Sequence, residues 1–239
     1  MISLIAREEI WYFAIILFQG VRGYERLNLG SSKALYSPLS RQYKCLIETG
    51  TWLGDGIQAA LESGFRQVIS CDINEELVMQ ARSRFQNQPV QVHLGSSEQV
   101  LKTLMWDVSE PTVFFLDAHA MPPSSEAQVF SAATLLPGHE DDQSLQCPLQ
   151  QEIKIILESG YSGHTILIDD RQCFDTWLFH YLSEETIRAQ VESLCPGRYS
   201  FSYFRNVLCI SPIGIKIPRE ASYLLIARKA KKLLKIMRH

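Results

Sequence analysis

No stretch of this chain is apolar for long enough to cross a bilayer. The longest run near its start, Ile10 to Phe18, falls well short of the roughly 20 residues a spanning helix needs. It also fails as the core of a secretion signal. Glu8 and Glu9 stand where a basic flank belongs, and no small-residue cleavage site follows. It reads instead as a helix packing on the domain. Paired cysteine motifs are missing too. None of Cys45, Cys71, Cys147, Cys173, Cys195 and Cys209 forms a C-x-x-C pair, which argues against a zinc ribbon or a dithiol redox site. Cys45 and Cys209 lie in apolar runs, where cysteine behaves as a small buried hydrophobe, and a reducing, cytoplasmic setting is expected. A basic balance is likewise absent. The 23 Lys and Arg against 26 Asp and Glu leave a net charge of −3, so the body has no electrostatic case for nucleic acid. There are no internal repeats and no low-complexity segments.

What is present is ordinary globular composition, 46% hydrophobic and 21% charged over 239 residues. From residue 44 onward, short apolar runs alternate with amphipathic stretches. Strands are expected at Cys45–Ile47, Gln67–Cys71, Val90–Leu94, Thr112–Leu116 and Thr165–Ile168. Helices are expected at Gly56–Glu62, from a cap at Asn74, at Ser97–Met105, Leu149–Ser159 and Ser183–Leu194. Tyr199–Ser211 and Ser222–Ala227 read as two closing strands. This rhythm implies an α/β fold, a Rossmann-like, seven-stranded, mostly parallel sheet with helices on both faces. Residues 1–43 form an N-terminal helical extension, 44–228 the main domain and 229–239 a basic tail. Residues 118–148 break the rhythm with Pro122, Pro123, Pro137 and Gly138. A connection that long suits a substrate lid.

The densest signal follows the first strand. Glu48-Thr49-Gly50-Thr51 runs through Gly54-Asp55-Gly56 into a helix, and Asp72 ends the second strand 22 residues after Gly50. Glycines there let the backbone turn and approach a ligand, and an acid at the second strand's end accepts hydrogen bonds from ribose hydroxyls. Two cofactors share that geometry, NAD and S-adenosylmethionine (SAM). The G-x-G-x-x-G fingerprint of the first is absent. Trp52 is too large for close approach to a pyrophosphate, and Glu48 would repel phosphates while attracting an amino or sulfonium group. SAM is favoured.

With those residues the chain resembles class I SAM-dependent methyltransferases over about residues 44–180. The resemblance implies that Glu48, Thr49, Gly50, Thr51 and Gly54 hold the methionine part of SAM. It implies that Asp72 with Ile73 takes the ribose, and that Gly95, Ser96 and Ser97 contact the adenine. Asp117 and the pair Asp169-Asp170 end strands four and five, so the topology brings three acids to the cofactor edge. Clustered carboxylates of this kind bind a cation or share protons, and oxygen donors suit Mg²⁺ or a similar ion. The plainer alternative is that Asp169-Asp170 caps the following helix while Asp117 bonds a turn. The same positions resemble the metal site of catechol and macrocin O-methyltransferases. That resemblance implies a divalent cation on Asp117, Asp169 and Asp170, with methyl transfer to a hydroxyl of a small molecule or sugar. His119, two residues past Asp117, is expected as a proton acceptor for that hydroxyl, with a metal ligand or a satisfied loop histidine as its alternatives. Asp117-Ala118-His119-Ala120 stands where amino-nitrogen methyltransferases carry N-P-P-Y, which argues against a nucleobase acceptor. A nitrogen, protein or nucleic-acid acceptor and a non-catalytic SAM-fold module remain the other readings. Ala120-Met121-Pro122-Pro123 departs from the aromatic and Ser-Gly-Gly turn of close relatives, so the acceptor does not carry over.

Two end segments stay open. The stretch Ala227–His239 sets six cations around Leu233, Leu234 and Ile236. That pattern fits a solvated terminal helix, or weak contact with an anionic membrane. Trp11, Tyr12 and Phe13 offer either cover for the cleft or a homodimer face.

Overall fold

A computed structural model of the chain describes residues 29–119, 147–160, 163–176 and 179–218. The apolar run 10–18, most of the expected lid and the basic tail lie outside them. Among the described residues no helix is long and apolar enough to cross a membrane.

The chain enters through α1 (Leu29–Ser40) and then alternates. β1 (Cys45–Thr49) leads to α2 (Asp55–Ser63), and β2 (Gln67–Asp72) to α3 (Glu75–Arg84). β3 (Val90–Leu94) leads to α4 (Ser97–Leu104), and β4 (Thr112–Leu116) is followed by α5 (Leu149–Glu158). β5 (Thr165–Ile168) runs into a 3₁₀ turn (Arg171–Cys173), then α6 (Glu184–Leu194), β6 (Tyr199–Phe204) and β7 (Val207–Pro212). Local chemistry accounts for the helix ends. Asn74 caps α3 by accepting the Glu76 and Leu77 amides, and Glu75 and Glu76 sit at the positive end of the helix dipole. Gly64 closes α2 in the left-handed conformation, with its amide on the carbonyls of Ala60 and Leu61.

The seven strands form one sheet in the order β3-β2-β1-β4-β5-β7-β6. The first five pair in parallel, and β7 is antiparallel to β5 and β6. The fold class read from the sequence is therefore observed. The closing strands need a correction. Residues 199–211 are not one strand but nearly all of the β6–β7 hairpin, turning at Arg205-Asn206, and residues 222–227 lie outside the described part. Turn residues inside an otherwise apolar, alternating run hid the hairpin.

Side chains alternate between two cores, as strand geometry requires. Ile47, Phe114, Leu116, Ile166 and Ile168 face α4, α5 and α6. Leu46, Val113, Phe115 and Leu167 face α1, α2 and α3. The strand order reverses between β1 and β4. Open α/β sheets bind ligands at the carboxyl ends of the strands flanking such a switch point.

Candidate active site

The loop after β1 is built by hydrogen bonds to β2. The Gly50 and Thr51 amides donate to the Cys71 carbonyl at 2.9 and 3.1 Å, and Gly54 donates to Thr51 at 2.9 Å. Gly50 has φ +85°, and a Cβ there would run into the Asp117 carbonyl, so glycine alone lets the loop lie against the end of β4. Asp72 accepts the Trp52 amide at 3.0 Å through Oδ2 and the Asn74 amide at 2.9 Å through Oδ1. Each oxygen keeps lone-pair capacity on the half-exposed side, as a ribose diol requires. Ile73 and Leu53 stand exposed on the same lip, offering apolar cover for a base.

Glu48 occupies a different place from the one its sequence position suggests. It is 3% exposed, accepts the Ser70 hydroxyl at 2.9 Å and packs its carboxyl over Gly56, where any Cβ would collide with it. Ser70 in turn bonds the Thr51 hydroxyl at 2.7 Å. Burial, against the Ser70 hydrogen bond, pushes the Glu48 carboxyl up to about 8, with the Asp117, Asp72 and Asp55 charges adding to it. Its partners are therefore internal, and it shapes the loop from beneath. Thr49 is fully buried and receives the Asp117 amide on its carbonyl at 3.0 Å and on its hydroxyl at 3.3 Å. Ser96 caps α4 through the Gln99 amide at 3.4 Å, and the buried Ser97 hydrogen-bonds Glu152. The hydroxyls of the Ser96-Ser97 pair thus serve the fold.

At the ends of β4 and β5 three ligand-type atoms lie within 4.8 Å of one another, contributed by Asp117, His119 and Asp170. His119 Nε2 is 3.1 Å from Asp117 Oδ1 and 3.4 Å from Asp170 Oδ2. The imidazole is 4% exposed and meets Phe179 edge-on at 4.9 Å. Burial pulls its pKa down, but hydrogen bonds to Asp117 and Asp170, and their charges, win and hold it well above the ordinary value. A ring so enclosed, with Nε2 turned to two carboxylates, is a poor proton acceptor for a substrate hydroxyl. One imidazole nitrogen and two carboxylates are instead a usual donor set for a divalent cation, with His broadening the choice beyond Mg²⁺ to Mn²⁺, Fe²⁺ or Zn²⁺.

Asp169 does not join the three. It follows Ile168, which faces α5, so its own side chain turns to the other face of the sheet. There it is 8% exposed, and its Oδ1 accepts the Asp170 amide at 2.8 Å. Burial first, then the charges of Asp117 and Asp170, raise its pKa well above the carboxylate range. Asp170 itself adopts φ 50°, ψ 42° at the start of the 3₁₀ turn, without a side-chain capping bond. The left-handed conformation swings its carboxyl back toward His119.

Three residues of this region were not read from the sequence. Asn206, in the β6–β7 turn, donates to Asp170 Oδ1 at 3.0 Å and accepts the Gln172 amide at 3.1 Å, which fixes the Asp170 loop. Tyr36 of α1 is fully buried with its ring edge-on to Phe115, and burial, Glu48, Asp169 and Asp117 raise its pKa. Glu152 of α5 is 1% exposed. Its signal was present in the sequence. Leu149, Ile153, Ile156 and Leu157 define an apolar helix face, and residue 152 falls on that face.

Comparison with known proteins supports the fold. No protein-family profile matches the chain, and no curated protein matches it. Solved structures do. The methyltransferase PaMTH1 of Podospora anserina, with S-adenosylhomocysteine (SAH) bound, has a TM-score of 0.50 at 16% identity and covers 77% of each chain. A candidate methyltransferase of Streptococcus mutans, also with SAH, has a TM-score of 0.50 at 15% identity over 80% of this chain and 100% of its own. A candidate O-methyltransferase of Klebsiella pneumoniae has a TM-score of 0.50 at 14% identity, over 83% and 86%. At such identities the likeness is one of fold alone, a mostly parallel α/β sheet shared with these methyltransferase structures.

Proposed function

We propose that this chain is a SAM-dependent methyltransferase that moves a methyl group to a hydroxyl oxygen of a small molecule or sugar, with a divalent cation on Asp117, His119 and Asp170. The observation that carries the reading is the meeting of those three side chains beside the Gly50 loop, at the switch point of a methyltransferase fold. The fold of SAH-bound neighbours supports the cofactor, and the placement of Asp72, Ile73 and the Gly50 turn supports its binding mode.

In this reading Asp72 accepts the ribose hydroxyls, Ile73 and Leu53 cover the adenine, and the Gly50–Thr51 turn receives the methionine part. A cation bound there would lower the acceptor hydroxyl's pKa by stabilising the oxyanion. Asp117 and Asp170 hold the acceptor's position from the strand ends, so that its oxygen stands in line with the sulfonium methyl, about 3 Å away. His119 changes role from the expected proton acceptor to a ligand, because Nε2 faces the two carboxylates and the ring is enclosed. Mn²⁺ is a fitting probe for this mixed nitrogen and oxygen set.

Thermal unfolding with SAH, with and without Mn²⁺ and chelator, tests both parts. SAH at about 100 times its Kd adds about 2.7 kcal/mol and shifts the midpoint by several degrees. A further, chelator-sensitive shift is expected with Mn²⁺. No shift with SAH up to about millimolar would turn the reading to a non-catalytic module of the same fold.

A further inference from the structure

A half-open recess lies beside the Asp117–His119–Asp170 cluster, at the ends of β4 and β5 and against the first turn of α5. Leu116, Leu149, Ile168 and Phe179 give it apolar walls, and Glu152 brings a carboxyl to them. Its free space is about 10 Å³, room for one oxygen-sized group. Glu152 is 1% exposed, and its Oε1 has no hydrogen-bond partner among the described residues. The hydroxyls of Ser97 and Thr49 bond the same carboxyl, so they hold its other oxygen. The walls do not supply the missing donor. Those four side chains are hydrocarbon, Pro148 has no N–H, and the Leu149 amide already serves the Cys147 sulfur. A buried acceptor without a donor is costly, and beside a reaction site a ligand is its natural partner. Solvent reaches such a recess in the free protein, and a ligand hydroxyl that makes the same bond displaces it without loss.

We propose that the recess is a specificity subsite: a further hydroxyl of the acceptor, carried on the same ring as the cation-bound oxygens, donates to Glu152 Oε1. The acceptor is then a polyhydroxylated ring. The proposal rests on the cation reading above. Asp117, His119 and Asp170 offer three ligand atoms, and a six-coordinate ion keeps positions open for two neighbouring oxygens of the acceptor. His119 belongs to the cluster and also to the wall of the recess, so the two sites are one side chain apart. One ring can reach both. Charge selects a hydroxyl over an ammonium, because the cation would stand close by and repel a second positive group. Size selects it over a methyl ether, because the space admits one oxygen and no added carbon. The subsite is tied to the cofactor loop as well, since Thr49, which bonds Glu152, also receives the Asp117 amide.

The experiment uses the full chain, saturated with SAH and Mn²⁺, and three probes: catechol, pyrogallol and hydroxyquinol. The last two add a third hydroxyl to the catechol pair. Calorimetry under argon follows their binding to wild type and to Glu152→Met, which keeps the side chain's length and removes the acceptor. Wild type should bind at least one of the triols about tenfold or more tightly than catechol. Glu152→Met should bring that triol down to the catechol level while SAH and Mn²⁺ affinity hold. Equal affinity for all three probes in wild type overturns the proposal and leaves the cation reading standing. So does binding of none of them, or a triol preference that survives in Glu152→Met. Wild-type protein that takes SAH but no Mn²⁺ removes both. Should the variant fail to fold or lose SAH as well, a wild-type crystal structure with SAH, Mn²⁺ and the tighter triol decides. A ring hydroxyl within hydrogen-bond reach of Glu152 Oε1 supports the subsite, and a recess left to water overturns it.

Discussion

Asp170 shows how one residue's backbone sets the chemistry of its side chain. A non-glycine residue at φ 50° costs about 1–2 kcal/mol, and Asp and Asn bear it best. In that conformation the carboxyl reaches His119, whereas the Asp169 carboxyl is engaged by the Asp170 amide. Asp170→Asn separates shape from charge. Asn keeps the left-handed preference and an oxygen for the Asn206 amide. The expected outcome is stability within about 1 kcal/mol of wild type, unchanged SAH affinity and a loss of Mn²⁺ binding of at least about a hundredfold, of the order seen when a charged ligand is removed. Thermal unfolding and Mn²⁺ titration on one preparation check this. A variant that binds Mn²⁺ like wild type would remove Asp170 from the ligand set.

At the level of elements, the β6–β7 hairpin is more than a sheet edge. Its turn delivers Asn206 onto the Asp170 loop, with two side-chain hydrogen bonds and the Arg171 amide on the Asn206 carbonyl at 2.8 Å. Asn206→Ala removes both side-chain bonds, at about 0.5–1.5 kcal/mol each. It should lower the unfolding midpoint by several degrees and weaken Mn²⁺ binding while SAH affinity holds; unchanged Mn²⁺ affinity would show that the loop keeps its shape unaided. That hairpin also marks where sequence reading stopped. The parallel strands were legible because burial on both faces forces near-continuous apolar runs, as in Thr112–Leu116. The Gly50 turn and Asp72 were legible because their spacing follows from one βαβ unit. Asp117 and Asp170 were placed at the right edge by strand ends alone. What sequence spacing could not fix was side-chain direction. Whether Asp169 or Asp170 faces the centre, and whether Glu48 points to a ligand or to Ser70, depends on a single φ angle and on the space over Gly56.

The whole molecule carries a modest net charge of −3, yet it gathers buried acids at one edge of its sheet. Burial lifts Glu48 to about 8 and Glu152 to about 7, and Asp169 is raised as well. A carboxyl whose folded pKa exceeds its unfolded value of 4.5 holds a proton that the unfolded chain has released. Between those two values the folded state binds more protons, so stability falls as pH rises. His164, lowered to about 4 by burial, works the other way, but only below its unfolded value of 6.5. Above pH 6.5 the acids therefore prevail, joined by His119, whose raised pKa also makes the folded chain hold its proton longer. Between pH 6.5 and 8 the metal-free protein should lose stability, with Glu48 alone contributing up to about 2 kcal/mol. Glu48→Gln keeps an acceptor for Ser70 and has no proton to lose, so its decline over that interval should be shallower by about that amount. Saturating Mn²⁺ should flatten or reverse the wild-type decline, because a cation binds the ionised cluster and displaces the His119 proton. Denaturant unfolding at pH 6.5 and 8, with chelator and with Mn²⁺, measures all of this. A decline equally steep in wild type and Glu48→Gln would mean that Glu48 ionises freely in the folded chain. The cradle beneath the Gly50 loop would then be open to water.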